Sequence, residues 1–218
     1  MTSDVRAVLQ RFPELTYDDE TRVFRGRLAV DEADYYVLEI QAWHFPLAFP
    51  VVREIGERIP RKQDRHVFDD GSLCLTTDTK EEILLATKIQ TFEKFFDLIL
   101  VPYLLNNSYY EIHQRYAIEG YSHDRALSIV ETYLEMLDIA DVRLLSKVLR
   151  GLVAGTKIHP NSACYCGSGK KSKKCGGHFE AHRAAKLVTK KTLIRDLDLV
   201  LKHLEGASSE IKAAGATG

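Results

Sequence analysis

The sequence predicts an α+β protein, with strands gathered in its first quarter, helices through the rest and a metal-type cysteine cluster near the C-terminal end. Three observations carry this. Short runs with alternating apolar residues lie before residue 55, and from Thr87 onward the apolar spacing lengthens to three and four. Three of the four cysteines, Cys164, Cys166 and Cys175, fall within twelve residues.

Taken in order, Ser3 or Asp4 can cap a first helix with Val5, Val8, Leu9 and Phe12 on one face, and Pro13 stops it. The runs Arg22–Val30 and Tyr35–Gln41 read as strands of an antiparallel hairpin joined by the acidic turn Asp31–Asp34. Pro46 and Pro50 then flank a third short strand, a position that suits an edge or a strand start. Polar, loop-like sequence follows from Arg61 to Ser72.

The helical part begins where Thr87 and Gln90 show capping-box spacing, and Ile89, Phe92, Phe96 and Ile99 form an apolar stripe that Pro102 breaks or kinks. Ser122–Leu137 and Asp141–Ala154 are two further helices, Ala126, Val130, Tyr133 and Leu137 facing inward in the first and Leu145, Val148 and Leu152 in the second. Phe179–Glu205 reads as one long helix with a heptad-like seam of Leu187, Ile194, Leu197, Leu201 and Leu204. That seam packs a core or docks a partner. Gly206–Gly218 is small and polar, the composition of a disordered tail.

A net charge of −1 gives no overall basic character that would recruit nucleic acid or an anionic membrane, so any basic patch must be local. The N-terminus has no basic-then-apolar leader, and the longest apolar stretch is interrupted by Asp97 and Pro102. Neither secretion nor a membrane span is expected, and a cytoplasmic location is. In a reducing compartment, clustered cysteines favour metal over disulfides.

The first chemical site is the segment Asp64–Leu75, which ends Asp-Gly-Ser-Leu-Cys-Leu and holds the isolated Cys74. A thiol is a strong nucleophile even when only slightly ionised, so it can accept an acyl group as a thioester and pass it to an amine. Between Leu73 and Leu75, Cys74 can equally be a small buried hydrophobe.

A glycine three residues before a Cys-Leu pair, after a proline-flanked strand, resembles the active-site signature of ubiquitin-conjugating enzymes, and the order of elements over about residues 1–110 resembles that family too. The family's His-Pro-Asn motif is replaced: His66 stands where its Asn would be, eight residues before the cysteine, and Asp64 where its His would be. The resemblance implies an antiparallel sheet meander with flanking helices, Cys74 as the acyl acceptor, and His66 in the role of the Asn, supporting the loop or donating to an oxyanion. One such donor typically contributes about 3–4 kcal/mol. For His66 alone, a solvated loop histidine is the competing reading. Asp69, Asp70 or Asp78 can tune or deprotonate the incoming lysine. The resemblance also implies a protein modifier, an activating enzyme in trans and a protein target. A bacterial setting extends this to antiphage defence, with a cGAS-like nucleotidyltransferase as the target.

The second site is Cys164-Tyr-Cys-Gly-Ser-Gly-Lys-Lys-Ser-Lys-Lys-Cys175-Gly-Gly-His178. Thiolates and imidazole are what zinc takes in closed tetrahedral sites, and the glycines let the backbone curl around it. The segment is similar to the SEC-C motif, the zinc module that ends the SecA translocation ATPase. Gly176 stands where that motif has its fourth ligand, so His178 is the nearest replacement and His182 the second choice. A structural or interaction role is expected, since no nearby acid can act as base.

Lys170, Lys171, Lys173 and Lys174, joined by Arg183, Lys186, Lys190 and Lys191, make a local positive surface. It is either a solvated face or a surface for phosphate or an acidic protein. These readings divide the chain into a ubiquitin-conjugating-like domain (1–110), a helical extension (111–157), a zinc module with the last helix (158–205) and a tail (206–218). A zinc-containing adaptor that binds protein or nucleic acid without catalysis is the alternative function.

Overall fold

The computed structural model describes residues 1–122 and 124–215, with side chains to residue 206. The fold is α+β. Its elements run α1 (Ser3–Arg11), β1 (Leu15–Asp18), β2 (Val23–Asp31), β3 (Asp34–Gln41), β4 (Val51–Glu54), a 3-10 turn (Gln63–Arg65), α2 (Asp78–Thr87), α3 (Phe92–Phe95), a π turn (Phe96–Leu100) and α4 (Val101–His113). Then come α5 (Arg125–Leu137), α6 (Val142–Val153), a second 3-10 turn (Ser172–Lys174), α7 (His178–Ala185) and α8 (Lys190–Gly215). The strands form an antiparallel meander in the order β1-β2-β3-β4. Among the described residues no helix is long and apolar enough to cross a membrane.

The chain divides into two compact units: Met1–Thr76 with Leu84–Gly120, and Thr77–Ile83 with Tyr121–Gly218. In the first, strand alternation turns Phe24 and Leu28 of β2, and Tyr36, Leu38 and Ile40 of β3, into the core, while Arg25 pairs with Glu39 on the opposite face. Gly26 lies among them at φ +140°, where a Cβ would meet the Glu14 carbonyl oxygen at 2.2 Å, so only glycine fits. Phe92, Phe95, Phe96, Leu100 and Leu104 cover the sheet, with Phe24 edge-on to Phe92 at 5.1 Å. The Tyr36 hydroxyl, buried in this layer, lies 2.8 Å from Ser108 Oγ and donates to the Leu104 carbonyl at 3.1 Å.

The helix that the sequence kinks at Pro102 does change form there. Pro102 has no N–H to return to the preceding turn, and the backbone widens into the π turn, with Val101 N–H bonding the Phe96 carbonyl. Its N-cap is Thr91, whose side chain accepts from Lys94 N–H, rather than Thr87. Thr87 instead ends α2, a helix absent from the sequence reading because it has almost no amphipathic pattern.

The first compact unit continues past residue 110. The stretch after α4 folds back: Asn106 Oδ1 accepts from Ala117 and Ile118 N–H, and the Tyr116 hydroxyl donates to the Asp64 carbonyl at 3.2 Å. The first unit therefore runs to Gly120.

The second unit buries Val130, Tyr133 and Leu137 of α5 against Leu145, Val148, Leu149 and Leu152 of α6 and Leu193 and Val200 of α8. The inward faces of α5 and α6 match the sequence reading at Val130, Tyr133, Leu137, Leu145, Val148 and Leu152. The expected single helix Phe179–Glu205 is two, α7 and α8, because Thr189 starts a new helix with its Oγ1 accepting from Thr192 N–H. The heptad seam holds only in part. Leu197 and Leu204 pack partly buried against the core, whereas Leu187 and Ile194 are exposed and the fully buried stripe runs through Leu193, Asp196 and Val200. Asp196, fully buried, accepts from Thr79 Oγ1, Tyr133 Oη and Arg195 Nε and Nη2. That network turns the helix by about one residue from the seam. Within Gly206–Gly218, where a disordered tail is expected, α8 continues helically to Gly215, and residues 216–218 lie outside the described residues.

Candidate active site and metal centre

Cys74 ends a small hairpin laid along β4. Phe68 N–H bonds the Ser72 carbonyl at 2.8 Å, Gly71 takes φ +81° at the turn, and Leu73 N–H bonds the Val52 carbonyl at 2.8 Å. Leu73 and Val67 are buried, whereas Cys74 is partly exposed. Cys74 thus lies outside the fully buried aliphatic layer that takes its neighbour.

His66 meets Cys74 through the backbone: its carbonyl accepts Cys74 N–H at 2.8 Å. His66 itself sits at φ +52°, the left-handed residue that closes the Gln63–Arg65 turn. The same carbonyl accepts the Tyr103 hydroxyl at 3.0 Å, so α4 props the turn from below. Burial raises the Tyr103 hydroxyl well above its ordinary range, and the Tyr116 and Cys74 charges push it further. The imidazole lies against the Tyr116 ring, with centroids 5.4 Å apart, and close under Gly120. A Cβ on Gly120 would stand 2.3 Å from His66 Cε1.

Arg65 is the buried root of this turn. Its Nη2 donates to Asn107 Oδ1 at 3.0 Å and its guanidinium lies 4.3 Å over the Tyr110 ring. Tyr103, Asn107 and Tyr110 share one face of α4 at helical spacing. Sequence reasoning missed all four residues. The only signal was that 3.6-residue periodicity, hidden among other polar positions.

Of the three candidate acids, Asp70 is engaged locally. Its carboxylate accepts from Ser72 N–H at 2.9 Å and from Ser72 Oγ, and pairs with Arg53 at 3.1 Å; the Ser72 bonds hold it below the usual carboxylate range. Asp78 belongs to the second unit, where it pairs with Arg195 at 2.6 Å. Asp69 is exposed and has no ion pair among the described residues.

The second unit gathers Cys164, Cys166, Cys175 and His178, whose ligand atoms all lie within 4.8 Å of one another. Cys164 N–H bonds the Lys170 carbonyl at 2.9 Å, closing a knuckle in which Gly167 and Gly169 take φ +78° and +73°. Ser172, buried beneath, bonds back to the Ser162 carbonyl through N–H at 2.9 Å and Oγ at 3.2 Å. Cys175 closes the second 3-10 turn, and His178 opens α7 with its N–H on the Cys175 carbonyl.

The free end of α5 holds this knuckle. A helix leaves its last carbonyls without internal partners. Here Tyr165 Oη donates to the Leu137 carbonyl at 2.8 Å, and His178 Nε2 lies 3.0 Å from the Asp138 carbonyl. With Nε2 so engaged, Nδ1 faces Cys164 Sγ at 3.2 Å. His182, the second-choice ligand, is buried one turn along α7 and lies outside the four-ligand group.

The donor set fits a tetrahedral cation. Metal–sulfur and metal–nitrogen bonds of about 2.3 and 2.0 Å imply ligand–ligand edges of roughly 3.5–3.8 Å; here the Cys166–Cys175 Sγ separation is 3.5 Å, Cys164 Sγ lies 3.2 Å from His178 Nδ1, and the four ligand atoms all fall within 4.8 Å of one another, so small adjustments close the site. Without a metal the thiols differ: burial pushes Cys164 up to about 11, while hydrogen bonds from Ser168 bring Cys166 down to about 6. Three sulfur atoms and one oriented imbidazole nitrogen, with no water-activating carboxylate among them, make a candidate structural metal centre.

Comparison with protein-family models, curated proteins and solved structures returned no match.

Proposed function

We propose that the chain is a cysteine-dependent acyl-transfer protein of the ubiquitin-conjugating type, carrying a structural zinc knuckle of the SEC-C kind. The observation that carries this reading is the partly exposed Cys74 at the end of a glycine-turned hairpin, its amide fixed on the His66 carbonyl. The meander preceding it and the helices following it support the same reading.

In the proposed step the Cys74 thiolate attacks the carbonyl carbon of a modifier held as a thioester on an activating enzyme. A new C–S bond forms, the old one breaks, and the activating enzyme's sulfur leaves as a thiolate that takes up a proton. A target amine then attacks, the C–S bond to Cys74 breaks, and an amide remains while the amine loses a proton. His66 supports the loop through its carbonyl, and Asp69, exposed and without an ion pair among the described residues, is the acid proposed to take the amine's proton. Zinc, bound by Cys164, Cys166, Cys175 and His178, would supply folding energy to the knuckle and take no part in transfer. The proposal includes a cytoplasmic location, where free thiols persist, and a bacterial defence setting with a cGAS-like target.

An adaptor without catalysis is the second reading. It is favoured by the His66 ring being packed against Tyr116 and Gly120. One experiment separates the two: the full chain is mixed with a ubiquitin-like modifier, its activating enzyme and ATP. A thiol-labile adduct that disappears in Cys74→Ala is expected. An adduct that persists in that variant, or a Cys74 inert to iodoacetamide in the folded protein, overturns the transfer reading.

A further inference from the structure

The overall charge of −1 conceals a segment of a different kind. Residues 142–191 hold twelve Lys or Arg and a single acid, Glu180, a net charge of +11 over fifty residues. All twelve cationic residues are exposed. Glu180 pairs with Arg183 at 2.9 Å, and among the described residues none of the other eleven has an ion-pair partner. Like charges at this density within the segment repel one another, and a polyanion laid against them relieves that repulsion.

The charges are arranged in ordered elements. Arg143, Lys147 and Arg150 fall at i, i+4 and i+7 on α6, opposite the buried Leu145, Val148, Leu149 and Leu152. The stripe spans about 10 Å of helix. Lys170, Lys171, Lys173 and Lys174 project from the knuckle, whose backbone is pinned by the Ser172 and Cys164 hydrogen bonds. A dication held by three thiolates and a neutral imidazole sums to −1, so a metal site would offset only one of the segment's eleven net positive charges.

We propose that this segment is a docking surface for the phosphate backbone of a double-stranded nucleic acid. Phosphate is favoured because a duplex presents a regular array of about one fixed anion per 1.7 Å of its axis, which a surface with this many cations can engage at several points at once. A duplex is favoured over a single strand because the two aromatic residues of the segment, Tyr165 and Phe179, are part-buried and offer no open stacking platform. An anionic membrane is disfavoured because Leu187 is the one large apolar side chain of the segment that is exposed. The contacts fall on phosphates rather than base edges, so recognition is independent of sequence.

The test uses the full zinc-loaded chain and a fluorescein-labelled DNA duplex of roughly 20 base pairs, read by anisotropy across a salt series. With at least four phosphate contacts, raising salt from about 50 to 200 mM weakens binding by about a hundredfold or more. Two variants are compared: Lys170→Gln, Lys171→Gln, Lys173→Gln and Lys174→Gln together, and Arg143→Gln, Lys147→Gln and Arg150→Gln together. Each lowers the slope of log K against log salt by about two to four, with zinc content measured in parallel. The second set lies away from the knuckle and keeps the test sound should the first lose metal. No binding at about 50 mM salt overturns the proposal. So do salt-independent binding, unchanged affinity in both variants, or tighter binding to polyglutamate or to phosphatidylserine vesicles than to the duplex.

Discussion

His178 Nε2 lies 3.0 Å from the backbone carbonyl of Asp138, the residue that ends α5 in a left-handed turn, and this contact leaves Nδ1 facing the three thiols. The backbone of the α5 end fixes the ring's orientation. Such outer partners are typically worth ten- to a hundredfold in metal affinity. His178→Ala and Cys166→Ser are therefore expected to lose stoichiometric zinc, and His182→Ala to retain it, when the proteins are assayed by elemental analysis in reducing buffer. Zinc bound equally by all three would remove the four-ligand assignment.

Metal affinity should rise with pH. In the metal-free protein at neutral pH the Cys166 thiol, brought down to about 6, is already ionised, whereas Cys164, pushed up to about 11, still carries its proton and must release it on binding. Below about 6 a further proton competes at Cys166, so the affinity should fall more steeply there. Titration against a chromophoric chelator at several pH values checks both slopes.

Gly120→Ala tests the His66 ring without touching it chemically. The new methyl meets the ring at 2.3 Å, and either the ring or the 114–120 stretch must move. Overpacking of this kind typically costs about 1–3 kcal/mol. If the ring or its turn supports transfer, discharge of the Cys74 thioester should slow while its formation is spared; single-turnover assays resolve the two steps.

Cys74→Ser keeps the geometry of the site but replaces sulfur by oxygen. The expected product is an oxyester that survives thiol reductant, seen as a stable shift on a reducing gel. A reductant-labile species in that variant would place the acyl group on another cysteine.

Asp196→Ala should destabilise the second unit by about 2–4 kcal/mol, because it leaves the buried Tyr133 and Thr79 hydroxyls without their acceptor, while the half-buried Arg195 keeps only Asp78. Urea unfolding followed by far-UV circular dichroism measures the loss.

The sequence made parts of this molecule readable and hid others for physical reasons. The β2–β3 hairpin was legible because a half-buried strand must alternate, and Phe24, Leu28, Tyr36 and Leu38 do. The candidate metal cluster was legible because donor chemistry and spacing leave few options, and the fold brings His178 rather than His182 beside Cys164, Cys166 and Cys175. α2 was not legible. It is held by side-chain hydrogen bonds to residues more than a hundred positions away, such as Glu82 to Thr189 and Thr79 to Asp196, and no local pattern records them. The seam on α8 was misread for the same cause: a buried carboxylate outweighs the apolar period around it. Nor could spacing reveal the Arg65–Asn107 anchor, which joins residues forty-two positions apart.

The dividing line between the units crosses α2, and this limits how the molecule can be dissected. A fragment ending at Gly120 would carry Thr77–Ile83 away from Asp196, Arg195 and Thr189, and one starting at Tyr121 would lack those seven residues altogether. No single scission of the backbone yields both halves whole. Expression of either alone should give an aggregation-prone product, and a working minimal version has to be made by circular rearrangement or by supplying the missing helical turns as a peptide.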